Sequence, residues 1–437
     1  MDTMDKIVSL CKRRGFVYPG SQIYGGLANT WDFGPLGAAL KQNIKSLWWR
    51  EFVQKEENVY GLSGGIILSP KVWEASGHLE HFTDMLVECK SCHQRFRADQ
   101  EPFKDTVMME VSCLSCGTKG QFSEPRTFSG LFKTYIGATE DTASVTHLRP
   151  ETAQAIFINF KNVVDSFHPK IPFGIAQIGR VFRNEITAGN FIFRDIEFEQ
   201  MELEYFIKPE GWESHFDYWL RKMWRWVKLI GLPDDKVSER EHEASERSHY
   251  SKKTIDIEYD FPFGKKELYG LAYRTDYDLR NHSQRSGVDL SYIDEDGAKF
   301  YPHVIEPSLG VERTMLAILC AAYLEDKDRV ILKLKPTLSP IKVAVFPLVS
   351  NKQDLVNKAH DVFLKLKLGL ETVWDDRGNI GKRYYAQDEI GTPWCVTVDY
   401  QTLEDGTVTV RDRDTTRQER VNVSKLEEYF VTRTKAN

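Results

Sequence analysis

Near-alternating apolar residues flank Thr187-Ala188-Gly189-Asn190, so residues 177–206 have the pattern of two strands joined by a hairpin. Arg183 and Glu185 are two apart, a spacing that points both side chains from one face of a strand. Elsewhere the period is helical. Residues 38–54 bring Leu40, Ile44, Leu47, Trp48 and Phe52 near one stripe, with Pro35 close to the helix start. Residues 1–14 read as a short amphipathic helix. Residues 212–230 interleave Trp219, Trp224 and Trp226 with Arg221, Lys222 and Arg225. That pattern suits an amphipathic helix with a wet basic face, or a surface that stacks on nucleic acid. Residues 238–249 are charge-dense and read as a solvated excursion, and strands are expected at 254–259 and 269–278. A linker at 333–340 carries Pro336 and Pro340. Beyond it come a buried strand at 341–346, a helix with Leu355, Ala359, Val362 and Leu366, and a strand at 372–374, the alternation of an α/β sandwich around a mixed sheet.

Composition changes this picture little. The chain has 437 residues, 41% apolar and 28% charged, enough for two or three globular domains with ample core. The longest apolar run is far short of a membrane span, and Asp2, Asp5 and Lys6 precede any apolar segment, so a cytoplasmic protein is expected. A net charge of −6 argues against nucleic-acid binding through bulk charge and leaves room only for local contacts.

Four of the seven cysteines, Cys89, Cys92, Cys113 and Cys116, form C-x2-C-x20-C-x2-C, the spacing of a zinc ribbon. The alternatives are a site that has lost its metal and four free thiols. Cys11, Cys320 and Cys395 are isolated and read as ordinary buried residues. Around the hairpin, Arg183, Glu185, Arg194, Glu197, Glu199 and Glu202 are more charges than a soluble sheet carries unless they meet water or a polar ligand. An arginine for a phosphate, a glutamate for an amine edge and Phe198 for a flat ring would together hold ATP. Cross-strand ion pairs on a solvated hairpin are the plainer reading. Arg313 falls in the first turn of a helix, where a positive charge opposes the helix dipole, and a polyphosphate would resolve that conflict. The glycine-rich run 20–26 lacks phosphate-loop spacing and reads as a structural turn.

The runs Arg-Val-Phe-Arg-Asn-Glu (180–185) and Phe-Arg-Asp-Ile-Glu-Phe-Glu-Gln-Met-Glu (193–202) resemble motif 2 of the class II aminoacyl-tRNA synthetases, in the form found in the homodimeric glycyl type. Ser-Leu-Gly-Val-Glu-Arg (308–313) resembles motif 3, and Gly-Pro-Leu-Gly (34–37) before a long helix resembles motif 1. The likeness runs through essentially the whole chain. It implies an α+β class II catalytic core, an antiparallel sheet flanked by helices, over residues 1–335. It also implies a zinc-ribbon-like insertion at about 72–136 and a C-terminal α/β anticodon-binding domain at 341–437, suggested by the run 375–383. Acidic and basic residues balance in that last region, so anticodon reading there would rest on stacking and hydrogen bonds.

The resemblance also implies residue roles. Arg183 and Arg313 would act on the phosphates, with Arg194 on the γ-phosphate and Glu267 helping to hold Mg²⁺. Asn184, Glu185, Phe193, Asp195, Ile196, Glu197, Phe198, Leu268, Gly310, Val311 and Glu312 would complete the ATP wall. The amino-acid pocket would draw on Arg97, Glu151, Phe198, Glu199, Gln200, Met201, Glu202, Glu306, Pro307, Ser308, Leu309 and Gly310. For Arg97 a surface ion pair with Asp99 is the alternative, and for Glu151 a simple preference for a helix N-terminus. The implied partners are glycine, tRNA(Gly) and a second copy of the chain, meeting by likeness to motif 1 through the 38–54 stripe, which taken alone reads as core. Residues 128–132, Phe-Ser-Gly-Leu-Phe, depart from the more apolar run of relatives.

Overall fold

The computed structural model describes residues 2–100, 102–104, 106–138, 140, 144–186, 189–248, 250–326 and 329–436. Its centre is a seven-stranded sheet built from β1 (Val59–Gly61), β2 (Phe173–Phe182), β3 (Glu197–Ile207), β4 (Val237–Glu241), β5 (Lys253–Phe261), β6 (Gly264–Thr275) and β7 (His303–Gly310), in the order β4-β5-β6-β7-β3-β2-β1. Every neighbouring pair is antiparallel except β1 with β2. The antiparallel sheet expected from sequence is present, with one parallel pair at its edge. The chain between β1 and β2 is long enough for the crossover that parallel pairing requires.

β2 and β3 pair with Glu197 opposite Phe182, so the expected tight hairpin is replaced by a loop over 183–196. Thr187 and Ala188, half of the expected turn, lie outside the described residues. Arg183 and Glu185 sit in this loop rather than on a strand, and strand alternation does not orient them. Backbone bonds do. The Arg183 N–H donates to the Ile196 carbonyl at 3.0 Å, the Asn184 N–H to the Gly130 carbonyl at 2.8 Å, and the Ile196 N–H to the Asn29 carbonyl at 3.1 Å.

One face of the sheet is the main core. Met201, Leu203, Tyr205 and Ile207 of β3 and Ile305 and Leu309 of β7 pack there with the helices Pro35–Trp49, Trp212–Leu229 and Val311–Ala322. Helix Pro35–Trp49 starts with Pro at its first turn. Its stripe Leu40, Ile44, Leu47 and Trp48, continued by Phe52, is at most 5% exposed. These side chains belong to the core of their own chain, which corrects their assignment to an interface between copies. Phe52 stacks at 5.2 Å on Trp48 and meets Trp219 and Trp226 at 6.1 and 5.9 Å. Helix Trp212–Leu229 therefore turns its aromatics inward and leaves Arg221 and Arg225 exposed, the amphipathic arrangement rather than a base-stacking one.

Two boundaries differ from expectation. Residues 238–241 form part of the edge strand β4 instead of a solvated excursion, their charges suiting an exposed sheet edge. Glu267 lies inside β6 rather than before it, where a register shift against Ile257 and Glu258 bulges the strand at Leu268.

Between residues 83 and 129, three strands in the order Arg95–Arg97, Thr83–Glu88, Arg126–Ser129 carry a small core of Val87, Phe103, Val111 and Phe122. The C-terminal sheet comprises β8 (Val343–Pro347), β9 (Thr372–Trp374), β10 (Trp394–Val398), β11 (Thr407–Asp412) and β12 (Gln418–Asn422), in the order β9-β8-β10-β11-β12. The first three are parallel and the last two antiparallel, the expected mixed sheet, with its own core. The 333–340 segment is no loose tether. Leu334 and Leu338 are buried, and Arg413 donates to the Leu334 carbonyl at 2.9 Å. Asp388 accepts from Arg411 at 2.7 and 2.8 Å and from Arg329 at 3.0 Å, tying this sheet to the preceding chain.

The glycine at 37 has a steric reason. A Cβ there would overlap the Phe16 carbonyl oxygen, so helix Pro35–Trp49 can sit this close to the turn before it only without a side chain. Gly37→Ala is expected to destabilise the fold by about 1–3 kcal/mol through overpacking, read as a lowered denaturant midpoint. An unchanged midpoint would show that the contact is slack.

Candidate active site

Strand alternation assembles the site on the face opposite the main core. Gln200 pairs with Gly310, Glu202 with Ser308 and with Gln177, Gly270 with Ser308, and Ala272 with Glu306. Gln200, Glu202, Glu306, Ser308 and Gly310 therefore share one face, together with Gly270 and Arg274 of β6. The same period sends the intervening residues away. Met201 and Leu309 are core, Pro307 pairs with the core residue Leu271, and Val311 is buried beneath the site. Glu199 points to helix Pro35–Trp49, where Lys41 and Lys45 each lie 2.9 Å from its carboxylate. Four of the expected pocket residues, Glu199, Met201, Pro307 and Leu309, thus turn their side chains from the pocket, because runs of consecutive residues cannot share a face of a strand.

A cavity beside this face is lined by Arg183, Glu185, Phe193, Arg194, Asp195, Phe198, Gln200, Glu267, Leu268, Ser308, Gly310, Glu312 and Arg313, among others. Arg183 and Arg313 share it. The Arg183 guanidinium lies 5.4 Å from the Phe198 ring centre, and its Nε donates to the Pro150 carbonyl at 3.1 Å. Arg313 lies 4.7 Å from the Phe193 ring centre, donates to the Phe193 and Glu267 carbonyls at 3.3 Å each, and stands 3.2 Å from the Glu267 carboxylate. That carboxylate answers the adverse helix dipole at Arg313 and is itself held below the usual range by Arg313. Arg194 is 3.9 Å from Glu185. Glu312 bridges motifs, pairing with Lys41 and accepting the Glu199 N–H at 2.9 Å. Burial pushes the neighbouring Asp195 carboxyl up to about 8, with Glu312 adding to the rise.

Asn184, Ile196, Glu197 and Arg97, all expected at the site, lie off this cavity. The Asn184 N–H is taken by the Gly130 carbonyl. Ile196 contributes its carbonyl to Arg183, and Glu197 is exposed and paired with Arg180. Arg97 sits on the small three-stranded sheet, with one nitrogen 2.7 Å from Asp84 and 2.7 Å from Asp99. Its guanidinium is already committed to carboxylates, and it does not line the cavity.

Below the cavity, Glu151, Glu202, Glu204, Asp278 and Glu306 surround Arg274, and all six are buried. Arg274 donates to Asp278 at 2.9 and 3.0 Å and to Glu306 at 2.8 Å, and stands 4.0 Å from Glu151. Glu202 accepts from Ser308 at 2.7 Å, Gln200 at 3.0 Å and the Thr152 N–H at 2.9 Å. Gln154 joins Glu151 to Asp278 at 2.9 Å each, and His78 lies 3.4 Å from Glu151. Burial pushes the Glu306 carboxyl up to about 8 against the pull of Arg274. Burial likewise acts to raise Glu151, but His78 and Arg274 outweigh it and hold that carboxyl well below the usual range. The arrangement is short of positive charge, and a small ammonium would supply it.

Sequence reasoning missed Arg274, Asp278, Glu204, Gln154 and His78. A signal existed for Arg274, since Gly270, Ala272 and Arg274 alternate small, small and cationic on one strand face. His78 arrives from the far end of the fold, with no local signal.

In the insertion, the four Sγ atoms of Cys89, Cys92, Cys113 and Cys116 lie within 4.8 Å of one another, with Cys92–Cys113 at 3.6 Å and Cys89–Cys116 at 3.8 Å. Tetrahedral zinc with Zn–S bonds near 2.3 Å needs sulfur separations of about 3.8 Å, so the thiols fit such an ion. Hydrogen bonds from Thr118 bring the Cys116 thiol down to about 6, which favours the thiolate a metal takes.

The family described as "tRNA synthetase class II core domain (G, H, P, S and T)" matches residues 135–322, and the family described as "Anticodon binding domain" matches 342–433. The fold and these matches make the chain a class II aminoacyl-tRNA synthetase with a C-terminal anticodon-binding domain. Among solved structures, a prolyl-tRNA synthetase from Cryptosporidium parvum shares the fold with a TM-score of 0.66 at 16% identity, over 99% of this chain and 75% of that one. Closer relatives are the glycine–tRNA ligases of Thermobifida fusca and Streptomyces coelicolor, each 51% identical over 99% of this chain and 98% of theirs. That of Caldanaerobacter subterraneus is 50% identical over 98% of both. The chain belongs to the glycine–tRNA ligase family.

Proposed function

We propose that this glycine–tRNA ligase joins glycine to ATP on the carboxylate-rich sheet face and passes the glycyl group to the 3′ end of tRNA(Gly). The glycine carboxylate attacks the α-phosphorus, pyrophosphate leaves, and the terminal ribose hydroxyl of the tRNA takes the acyl group with release of AMP. No protein nucleophile enters, so catalysis rests on positioning and on charge stabilisation at phosphorus. Arg183 binds the α-phosphate and the glycine carboxylate. Phe198 stacks on the adenine, whose edge Glu185 accepts, and Arg313 covers the other ring face while reaching the γ-phosphate with Arg194. Glu267, half-exposed beside Arg313, would help to hold Mg²⁺, which when bound would neutralise phosphate charge. Glu151, Glu306, Glu202 and Ser308 hold the ammonium. The observation that supports this reading best is the juxtaposition of a cavity shared by Arg183 and Arg313 with buried carboxylates in excess of their cations. A pocket that closed around an ammonium would exclude a β-carbon by steric clash, and nothing smaller than glycine competes, so no editing step is needed.

Amino-acid-dependent ATP–pyrophosphate exchange tests it. Glycine is expected to drive exchange well above threonine, proline or histidine. Arg183→Ala is expected to lower the rate by about a hundredfold or more without moving the thermal midpoint. Best exchange with another amino acid, or a fully active Arg183→Ala, refutes the assignment.

The insertion is read as a zinc module in which the ion cross-links two loops. Metal analysis of the purified protein is expected to find about one zinc per chain, lost in Cys113→Ser. Wild-type protein without zinc would contradict this. The enzyme is read as a homodimer. With the 38–54 stripe committed to the core, other surface must carry the contact, and Ile23, Tyr24 and Leu27 are exposed apolar residues beside that helix's N-terminal end. Sedimentation at micromolar concentration is expected to give the dimer mass, and monomer alone would overturn the reading.

A further inference from the structure

The carboxyl cluster contains two members that the reaction above does not use, Asp278, which Arg274 holds, and Glu204. Glu204 is fully buried on β3, and neither of its carboxyl oxygens has a hydrogen-bond partner among the described residues. The pairs Glu202–Ser308 and Tyr205–Ile305 fix the register of β3 against β7 and set Glu204 directly across from Glu306. Directly opposed residues of an antiparallel pair have Cβ atoms about 5 Å apart, and like charges there repel. Arg274 relieves only one side of the pair by hydrogen bonding, since its donors go to Asp278 and Glu306 and none reaches Glu204. The other groups facing the two carboxyls are Glu202 on β3, Glu151 before helix Ala153–Phe167, Asp278 on helix Tyr277–Ser286, and Tyr250. His78 and His282 lie one residue further out, against Glu151 and Gln154.

We propose that Glu204 is a positioning residue for the amino-acid pocket, a neutral acid across from Glu306, so that the opposed pair presents a single negative charge, on Glu306, to the glycine ammonium. An ionised carboxylate with no partner in a fully buried place would be far more costly than the acid. Burial, then the proximity of Glu306, raises the Glu204 carboxyl well above the usual range. A neutral carboxyl at this position can turn its O–H toward Glu306 and favour its charged form, as an amide N–H could and an apolar side chain could not. The inference rests on Glu306 being a ligand of the ammonium.

The test is the KM for glycine in ATP–pyrophosphate exchange between about pH 6.5 and 9, for the wild type, Glu204→Gln, Glu204→Leu and Glu306→Gln. Glycine needs Glu306 ionised, so the wild-type KM is expected to fall as pH rises through about 8. Glu204→Gln is expected to keep KM, kcat and the inflection within about twofold of wild type. Glu204→Leu is expected to move the inflection up by about one pH unit, raising KM about tenfold at neutral pH and recovering at higher pH. Should the leucine variant not fold, proton release on glycine binding decides, measured calorimetrically in buffers of different ionisation enthalpy. About one proton is expected near pH 7 in both wild type and Glu204→Gln. A Gln variant as impaired as the Leu variant, an inflection that neither variant moves despite lost stability, or release of no proton overturns the inference. A Glu306→Gln enzyme with unchanged KM would instead refute the pocket assignment itself.

Discussion

A buried guanidinium is outnumbered by the carboxyl groups around it, and much of the site follows from that imbalance. Arg274 is 1% exposed and holds Asp278 and Glu306 directly, with Glu151 at the edge of its reach. Buried charges are tolerated when paired and hydrogen-bonded, and this cluster is nearly but not fully balanced. The deficit sits next to Ser308 and Gln200, at the floor of the cavity that Arg183 and Arg313 share. A cationic group the size of an ammonium would complete the electrostatics.

The sheet makes this possible through its period of two. The face that buries Met201, Leu203 and Leu309 against three helices also fixes, on its other side, where Gln200, Glu202, Glu306 and Ser308 must point. A hydrophobic core thus aims a polar site. Lys41 and Glu312 extend the same logic across motifs, joining the first long helix, β3 and the helix that carries Arg313 in one buried ion-paired group. Displacing any one of the three elements would disturb the other two.

Much of the fold was legible in the sequence because its periodicities are local. The helical stripe Leu40 to Phe52, the inward aromatics of residues 212–230 and the alternating elements after 340 reflect spacing alone. The hairpin around 183–196 was not, since its loop is held by distant partners, Gly130 and Asn29, which no local pattern reveals. The edge strand β4 was hidden by the charges that protect it. For the site, motif likeness named residues in consecutive runs, whereas a strand presents alternate ones, so Glu199 and Met201 were swept in with Gln200 and Glu202. Arg274 and His78 were missed because their importance comes from tertiary contacts.

A structure of the protein crystallised with glycine and a non-hydrolysable ATP analogue tests the central claim most directly. The account places the glycine nitrogen about 3 Å from oxygens of Glu151 and Glu306, and the triphosphate between Arg183 and Arg313. An ammonium bound away from those carboxylates, or phosphates that contact neither arginine, would contradict it.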